Sequence, residues 1–161
     1  MSRLAGRVSV ICLGLVVLWS AVQAQQPELV MVARIIDGDG NSRGRTGARA
    51  KRPPVPSRGL SGMHGSFFYD NNNVRDGNGR IISGLGVQAW QEGDGARVVV
   101  YTLVPGPGAP NVYLATRATQ HLMRPERLVE FLLEVGEQRE LVELRRFGLK
   151  PWTIKVLKEP R

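Results

Sequence analysis

The fold is decided by residues 86–104, which read GVQAWQEGDGARVVVYTLV. Two β-prone runs, 86–91 and 96–104, flank the turn residues of 92–95. Two such runs separated by a short Gly/Asp turn are a strong signal for a β-hairpin. The second run is rich in β-branched and aromatic residues, which favour a pleated sheet surface. We therefore predict an antiparallel hairpin here and a mostly β protein around it.

Strand signals recur on both sides of this hairpin. Short β-prone runs lie at 65–69, 81–82 and 111–116, and the turn-rich DNNNVRDGNGR stretch at 70–80 separates the first two. Residues 125–135 fit a helical stripe and a strand alternation equally well, and we favour a strand because the better-defined neighbours are β. The last run, 151–157, places alternate apolar residues on one face.

Residues 140–147 are mainly helix formers, and Gly148 follows them as a C-cap. Short strands at intervals of roughly ten residues, separated by Gly/Pro turns, are typical of a sandwich or small barrel. We predict that residues 63–161 form a single antiparallel β-sandwich, immunoglobulin-like, with one short helix near the C-terminus.

Residues 25–62 differ from this domain in composition. The run LVMVARII at 29–36 is long enough for a strand, which either docks onto the sheet or stays a separate arm; we expect docking, because an exposed run of this kind invites aggregation. Nine of the twenty-six residues of 37–62 are Gly or Pro. We predict irregular, flexible chain there, because so few apolar side chains cannot offset the entropy of ordering it.

Residues 1–24 have the three-part pattern of a secretory signal peptide. Arg3 and Arg7 form a basic start, and 8–19 is a run of twelve uncharged residues that contains the chain's one cysteine. Twelve helical residues span roughly 18 Å, less than a hydrocarbon core of about 30 Å. We therefore expect cleavage after Ala24 rather than a membrane anchor, no transmembrane segment after cleavage, and a secreted or periplasmic protein.

The chain is basic, with a formal net charge of +8, and part of its positive charge lies in one segment. Six cations fall within sixteen residues that contain no acid: Arg43, Arg45, Arg49, Lys51, Arg52 and Arg58. Such a segment attracts polyanions with an affinity that falls steeply with salt. Outside the cytoplasm the candidates are anionic polysaccharide and lipid head groups. Export argues against nucleic acid, and glycines rather than aromatics separate the arginines.

Two oxygen-rich stretches resemble the start of a calcium loop. The first contains Asp37 and Asp39, and the second contains Asp70 and Asp76. The helix–loop–helix calcium loop requires Gly at position 6 and Glu at position 12, where the first stretch has Ser42 and Ala48. We predict polar turns at these places, and neither a metal nor a cofactor.

Catalytic chemistry has few residues to draw on. The predicted mature chain lacks a thiol, and its two histidines, His64 and His121, fall in no catalytic motif. We predict no catalytic residues and a non-enzymatic binding or accessory module, whose partner is an unknown protein or envelope component. The alternatives are a polyanion-binding protein that uses 43–58 and a small secreted hydrolase.

Overall fold

The described part of the chain is mostly β. The computed structural model describes residues 28–54, 67–75, 81–106 and 122–161. The strands that it shows there are β1 Leu29–Ile36, β2 Ser42–Gly47, β3 Phe67–Arg75, β4 Ile81–Glu92, β5 Gly95–Pro105, β6 Met123–Glu134, β7 Gln138–Leu141 and β8 Trp152–Pro160. They form two four-stranded sheets, in the orders β2-β1-β8-β7 and β3-β4-β5-β6. The prediction of a mostly β, antiparallel protein with little helix is confirmed.

The predicted hairpin is β4–β5. Its antiparallel register runs from Gly84 opposite Leu103 to Glu92 opposite Gly95. Gly93, the first residue of the two-residue turn, has a φ of 60°, whereas Asp94 has no positive φ. That pattern matches a type II′ turn, which places glycine first and suits the twist of paired strands.

The second sheet extends this hairpin on both sides. Strand β6 pairs antiparallel with β5, so the strand interpretation of 125–135 is confirmed. Strand β3 pairs with β4 from Phe67 to Arg75, with a register shift between Asp70 and Val74. The turn-rich interpretation of 70–80 is therefore wrong for 70–75, where β4 supplies the hydrogen-bonding partner that the local sequence did not predict.

The first sheet contains the run whose docking we expected. Strand β1 lies between β2 and β8, so docking is confirmed. In β8, Trp152, Ile154 and Val156 are buried on one face, as predicted. The expected helix at 140–147 is a 3-10 helix over Val142–Phe147, because β7 occupies 138–141. Gly148 ends the helix with a φ of 72°, and its N–H donates to the carbonyl of Arg145 at 2.9 Å.

Strand β2 corrects our prediction of irregular chain over 37–62. Residues 42–47 pair with β1, from Val32 opposite Gly47 to Ile36 opposite Ser42. The segment SRGRTG contains no apolar alternation, so its sequence gave no strand signal. It is a strand because β1 offers a free edge beside it, and Thr46 is buried.

One apolar cluster draws buried side chains from both sheets. It includes Ala33 and Ile35 from β1, Ile154 from β8, and Val98 and Val100 from β5. The residues Val30–Glu159 belong to one compact unit, which contains this cluster. The core therefore supports the outward-facing surfaces of both sheets.

Several predictions lie outside the described residues. These are the signal peptide at 1–24 and the strand at 111–116. No helix among the described residues is long and apolar enough to cross a membrane.

Candidate functional site

Arginines from two neighbouring strands share one carboxylate on the first sheet. Arg34 of β1 lies directly opposite Arg45 of β2. Like charges in that position repel each other across a strand pair. Glu159 of β8 offsets the repulsion, because its Oε1 accepts from Arg34 Nη2 and its Oε2 accepts from Arg45 Nη1 at 2.6 Å. We call these three residues the Glu159 seat.

The Glu159 carboxylate is buried beneath the two guanidinium groups. Its side chain is 11% exposed, against 44% for Arg34 and 59% for Arg45. The hydrogen bond from Arg45, followed by the one from Arg34, holds the pKa of Glu159 below its usual range, although burial acts in the opposite direction. The acid therefore stays ionised and fixes two cations that remain open to solvent.

Asp37 seats a third arginine at the start of the β1–β2 connection. Its Oδ1 accepts the backbone N–H groups of Asn41 at 2.8 Å and Asp39 at 3.0 Å, and its Oδ2 accepts from Arg43 Nε at 2.7 Å. These bonds, the one from Asn41 first, lower the pKa of Asp37. Asp37 is therefore the capping residue of a polar turn, as expected for this motif.

The other predicted oxygen ligands do not gather around Asp37. Asp39 is exposed and pairs with Lys150. Asp70 lies in β3, and Asp76 lies outside the described residues. Within the described ranges, no group of three or more His, Cys, Asp or Glu side chains is placed to hold a metal ion.

The chain beyond β2 passes from the first sheet to the second. The Arg49 N–H donates to the Ala89 carbonyl at 3.1 Å, and the Arg49 carbonyl accepts from the Gln91 N–H at 2.6 Å. Arg49 thus forms a parallel bridge with Trp90 beyond the point where β3 begins its pairing with β4. This anchoring fixes the path of the basic residues that follow.

Arg52 lies on the second sheet, in an arrangement that resembles the Glu159 seat. Its guanidinium stacks 4.9 Å above the Trp90 ring centroid. Glu130 of β6 accepts from Arg52 Nη2 at 3.4 Å and from Arg127 Nη1 at 3.1 Å. The Glu130 side chain is 22% exposed, against 55% and 63% for the two arginines. We call Arg52, Arg127 and Glu130 the Glu130 seat.

A second apolar cluster lies on the second sheet, apart from the shared core. Its buried members are Trp90, Val99, Tyr101, Leu103 and Met123. Burial raises the pKa of the Tyr101 hydroxyl. The Nε2 of Gln88, which lies opposite Val99, is buried and has no described hydrogen-bond partner. Because the Trp90 ring is buried under Arg52, it presents no open stacking surface, and the accessible chemistry of the Glu130 seat is that of guanidinium groups.

Both seats place acids below and cations above. A guanidinium bonded to a buried carboxylate keeps donors that point to solvent, and its fork can pair with two oxygens of a phosphate, sulfate or carboxylate. The exposed pair of Glu140 and Arg145 is different, because both side chains are more than half exposed and their charged atoms are 3.5 Å apart. The seats can thus bind oxyanions without first ordering their arginines.

The structure describes five of the six cations predicted for polyanion binding. Arg43, Arg45, Arg49, Lys51 and Arg52 are all exposed, and Arg58 lies outside the described residues. Arg49 and Lys51 form no ion pair with a described carboxylate. Sequence reasoning missed Arg34, Arg127 and their carboxylates. Arg34 and Glu159 are 125 positions apart, so only the sheet order could have revealed that pair.

The residues considered for catalysis, His64 and His121, lie outside the described ranges. No protein-family model, curated protein or solved structure matches this chain.

Proposed function

We propose that this chain is an exported, non-enzymatic binding module that acts in the cell envelope or outside the cell. Its export rests on the basic start and uncharged run of residues 1–24. Its framework is an immunoglobulin-like β-sandwich, in which the two sheets pack face to face. The apolar cluster with members from both sheets supports that arrangement, because the inner faces of a sandwich interdigitate to form one core.

The ligand that we favour is a polyanion, and one observation carries this choice. In the two seats, half-exposed arginines lie over carboxylates that are largely buried. Arg49 and Lys51, between the seats in sequence, add exposed positive charge. The surface that a ligand meets is therefore more basic than the count of charges suggests.

The structure changes how this function should be tested. Deletion of residues 43–58 would remove β2 and leave an edge of β1 unpaired, so loss of binding would not identify the cations. The double variant R49Q/K51Q removes two charges that have no described carboxylate partner. The matched control R145Q/R146Q removes two charges from the 3-10 helix.

We expect R49Q/K51Q to elute from immobilised heparin at lower salt than the unaltered chain, and R145Q/R146Q to elute close to it. The physical reason is that each lost contact to a polyanion releases fewer counterions on binding. Equal shifts for the two variants would show attraction to net charge alone. Failure of the unaltered chain to bind would contradict the proposed ligand.

Export has its own test. The intact mass of the protein in each cell fraction of its host should show a species beginning at Gln25 in the periplasm or medium. Full-length protein in the cytosol would contradict export.

A further inference from the structure

We infer that the ligand is a linear anionic polysaccharide, held by the two seats at once, and that Glu159 and Glu130 are positioning residues of the binding surface. The inference rests on the proposed polyanion-binding function and adds a ligand class and a role for two acids. It starts from the repeated construction, in which one carboxylate orients two arginines that come from different strands or segments.

The spacing of the seats favours a long ligand. Arg45 and Arg52 are seven residues apart in sequence, so their backbones are separated by at most about 25 Å. A screened charge acts over about 8 Å at physiological salt. A small anion can therefore use one seat only, whereas a chain that reaches both gains from the high effective concentration of its second site.

The path between the seats favours a flexible chain over a flat surface. Arg45 belongs to the first sheet, and Arg52 lies on Trp90 of the second sheet, with the Arg49 bridge between them. A polysaccharide can follow residues 45–52 from one sheet to the other. Nucleic acid fits less well, because the described aromatic beneath Arg52 is buried and offers no surface for a base.

The positioning role predicts an effect opposite to simple electrostatics. If the acids only reduced the positive potential, E159Q and E130Q would bind a polyanion more tightly. In the seats, loss of the carboxylate frees two guanidinium groups, and Arg34 then faces Arg45 without an intervening negative charge. Each freed side chain must be ordered again on binding. We therefore expect each variant to bind about three- to ten-fold more weakly.

The experiment titrates the full chain with heparin of more than about twenty sugar units and with a heparin tetrasaccharide. The matched control is E140Q, which removes an acid whose arginine partner is equally exposed. We expect E140Q to bind as tightly as the unaltered chain or more tightly, and the tetrasaccharide to bind at least about ten-fold more weakly than the long chain. Polygalacturonate in place of heparin distinguishes carboxylate from sulfate as the bound group.

A second substitution separates loss of positioning from loss of folding. R45K keeps the positive charge but cannot form the fork, so it should weaken heparin binding in a protein that unfolds at nearly the same temperature. R145K is its control and should bind normally. If E159Q fails to fold, E130Q and R45K decide the matter.

Three results overturn the inference. Tighter binding by E159Q and E130Q removes the positioning role but leaves polyanion binding intact. Binding to phosphatidylglycerol vesicles without binding to either polysaccharide replaces a linear ligand with a membrane surface. The absence of binding to all of these probes contradicts the proposed function as well.

Discussion

Glu159 is kept ionised in the folded protein by arginines from two strands. Hydrogen bonds from Arg45 and then Arg34 lower the pKa of Glu159, whereas a glutamate in the unfolded chain titrates near about 4.3. A lowered folded pKa means that the stabilisation is fully present above the unfolded pKa. It is lost as the pH falls through the lower, folded pKa. Asp37 contributes with the same sign, because the N–H of Asn41 and its other donors lower its pKa.

This sign gives a prediction for E159Q. At about pH 7 the variant should be less stable than the unaltered chain, because Arg34 and Arg45 lose their shared partner. As the pH falls below about 4, the difference in free energy of unfolding should shrink, since the unaltered chain loses the contribution that the variant already lacks. Urea unfolding at a series of pH values measures both curves. E140Q is the control, and a gap between E159Q and the unaltered chain that stays constant with pH would contradict the assignment.

At the scale of elements, the β4–β5 hairpin depends on a glycine where two strands approach closely. A Cβ on Gly95 would collide with the backbone carbonyl oxygen of Leu133 in β6. Backbone cannot move aside as a flexible side chain can, so β6 or the hairpin would have to shift.

We expect G95A to lower the free energy of unfolding by about 1–3 kcal/mol, the usual cost of forcing extra volume into packed structure. G47A in β2 is the matched control, because no heavy atom lies within 4 Å of its added Cβ and its φ is not positive. Chemical denaturation of both variants is the measurement. Equal stability of G95A and G47A would show that the register of β5 and β6 is wrong.

The elements that could be predicted from sequence are those that carry their own apolar alternation. β5 and β8 have it, and both were found near their true positions. β2 has none, and β3 contains Asp and three Asn residues, so their strand conformation depends on neighbours that are far away in sequence or on pairing with β4. The seats were missed for the same reason. Their arginines are visible in the sequence, but the carboxylates that orient them are set by the order of strands.

At the scale of the whole molecule, the shared core predicts that the two sheets unfold together. Ile154 from the first sheet and Leu85 from the second are both buried in that cluster. Ile154→Ala and Leu85→Ala should each lower the free energy of unfolding by about 2–5 kcal/mol. Trp152 and Trp90 report on the first and second sheet respectively, so variants with Phe at one of them allow each sheet to be followed by fluorescence.

We expect the Trp90 and Trp152 signals to change at the same denaturant concentration, as in a cooperative two-state transition. Both core substitutions should move the two signals together. Separate transitions, or an effect of Leu85→Ala on the Trp90 signal alone, would contradict a face-to-face sandwich.

The central claim is that seated arginines on this module bind a polyanion, and the most direct test is a heparin titration of the full chain at several salt concentrations. With at least four cations engaged, the affinity should fall by about ten- to a hundred-fold or more between about 50 and about 200 mM salt, with a linear dependence on log–log axes. An affinity that does not change over that range, or no binding at the lowest salt, would contradict the claim.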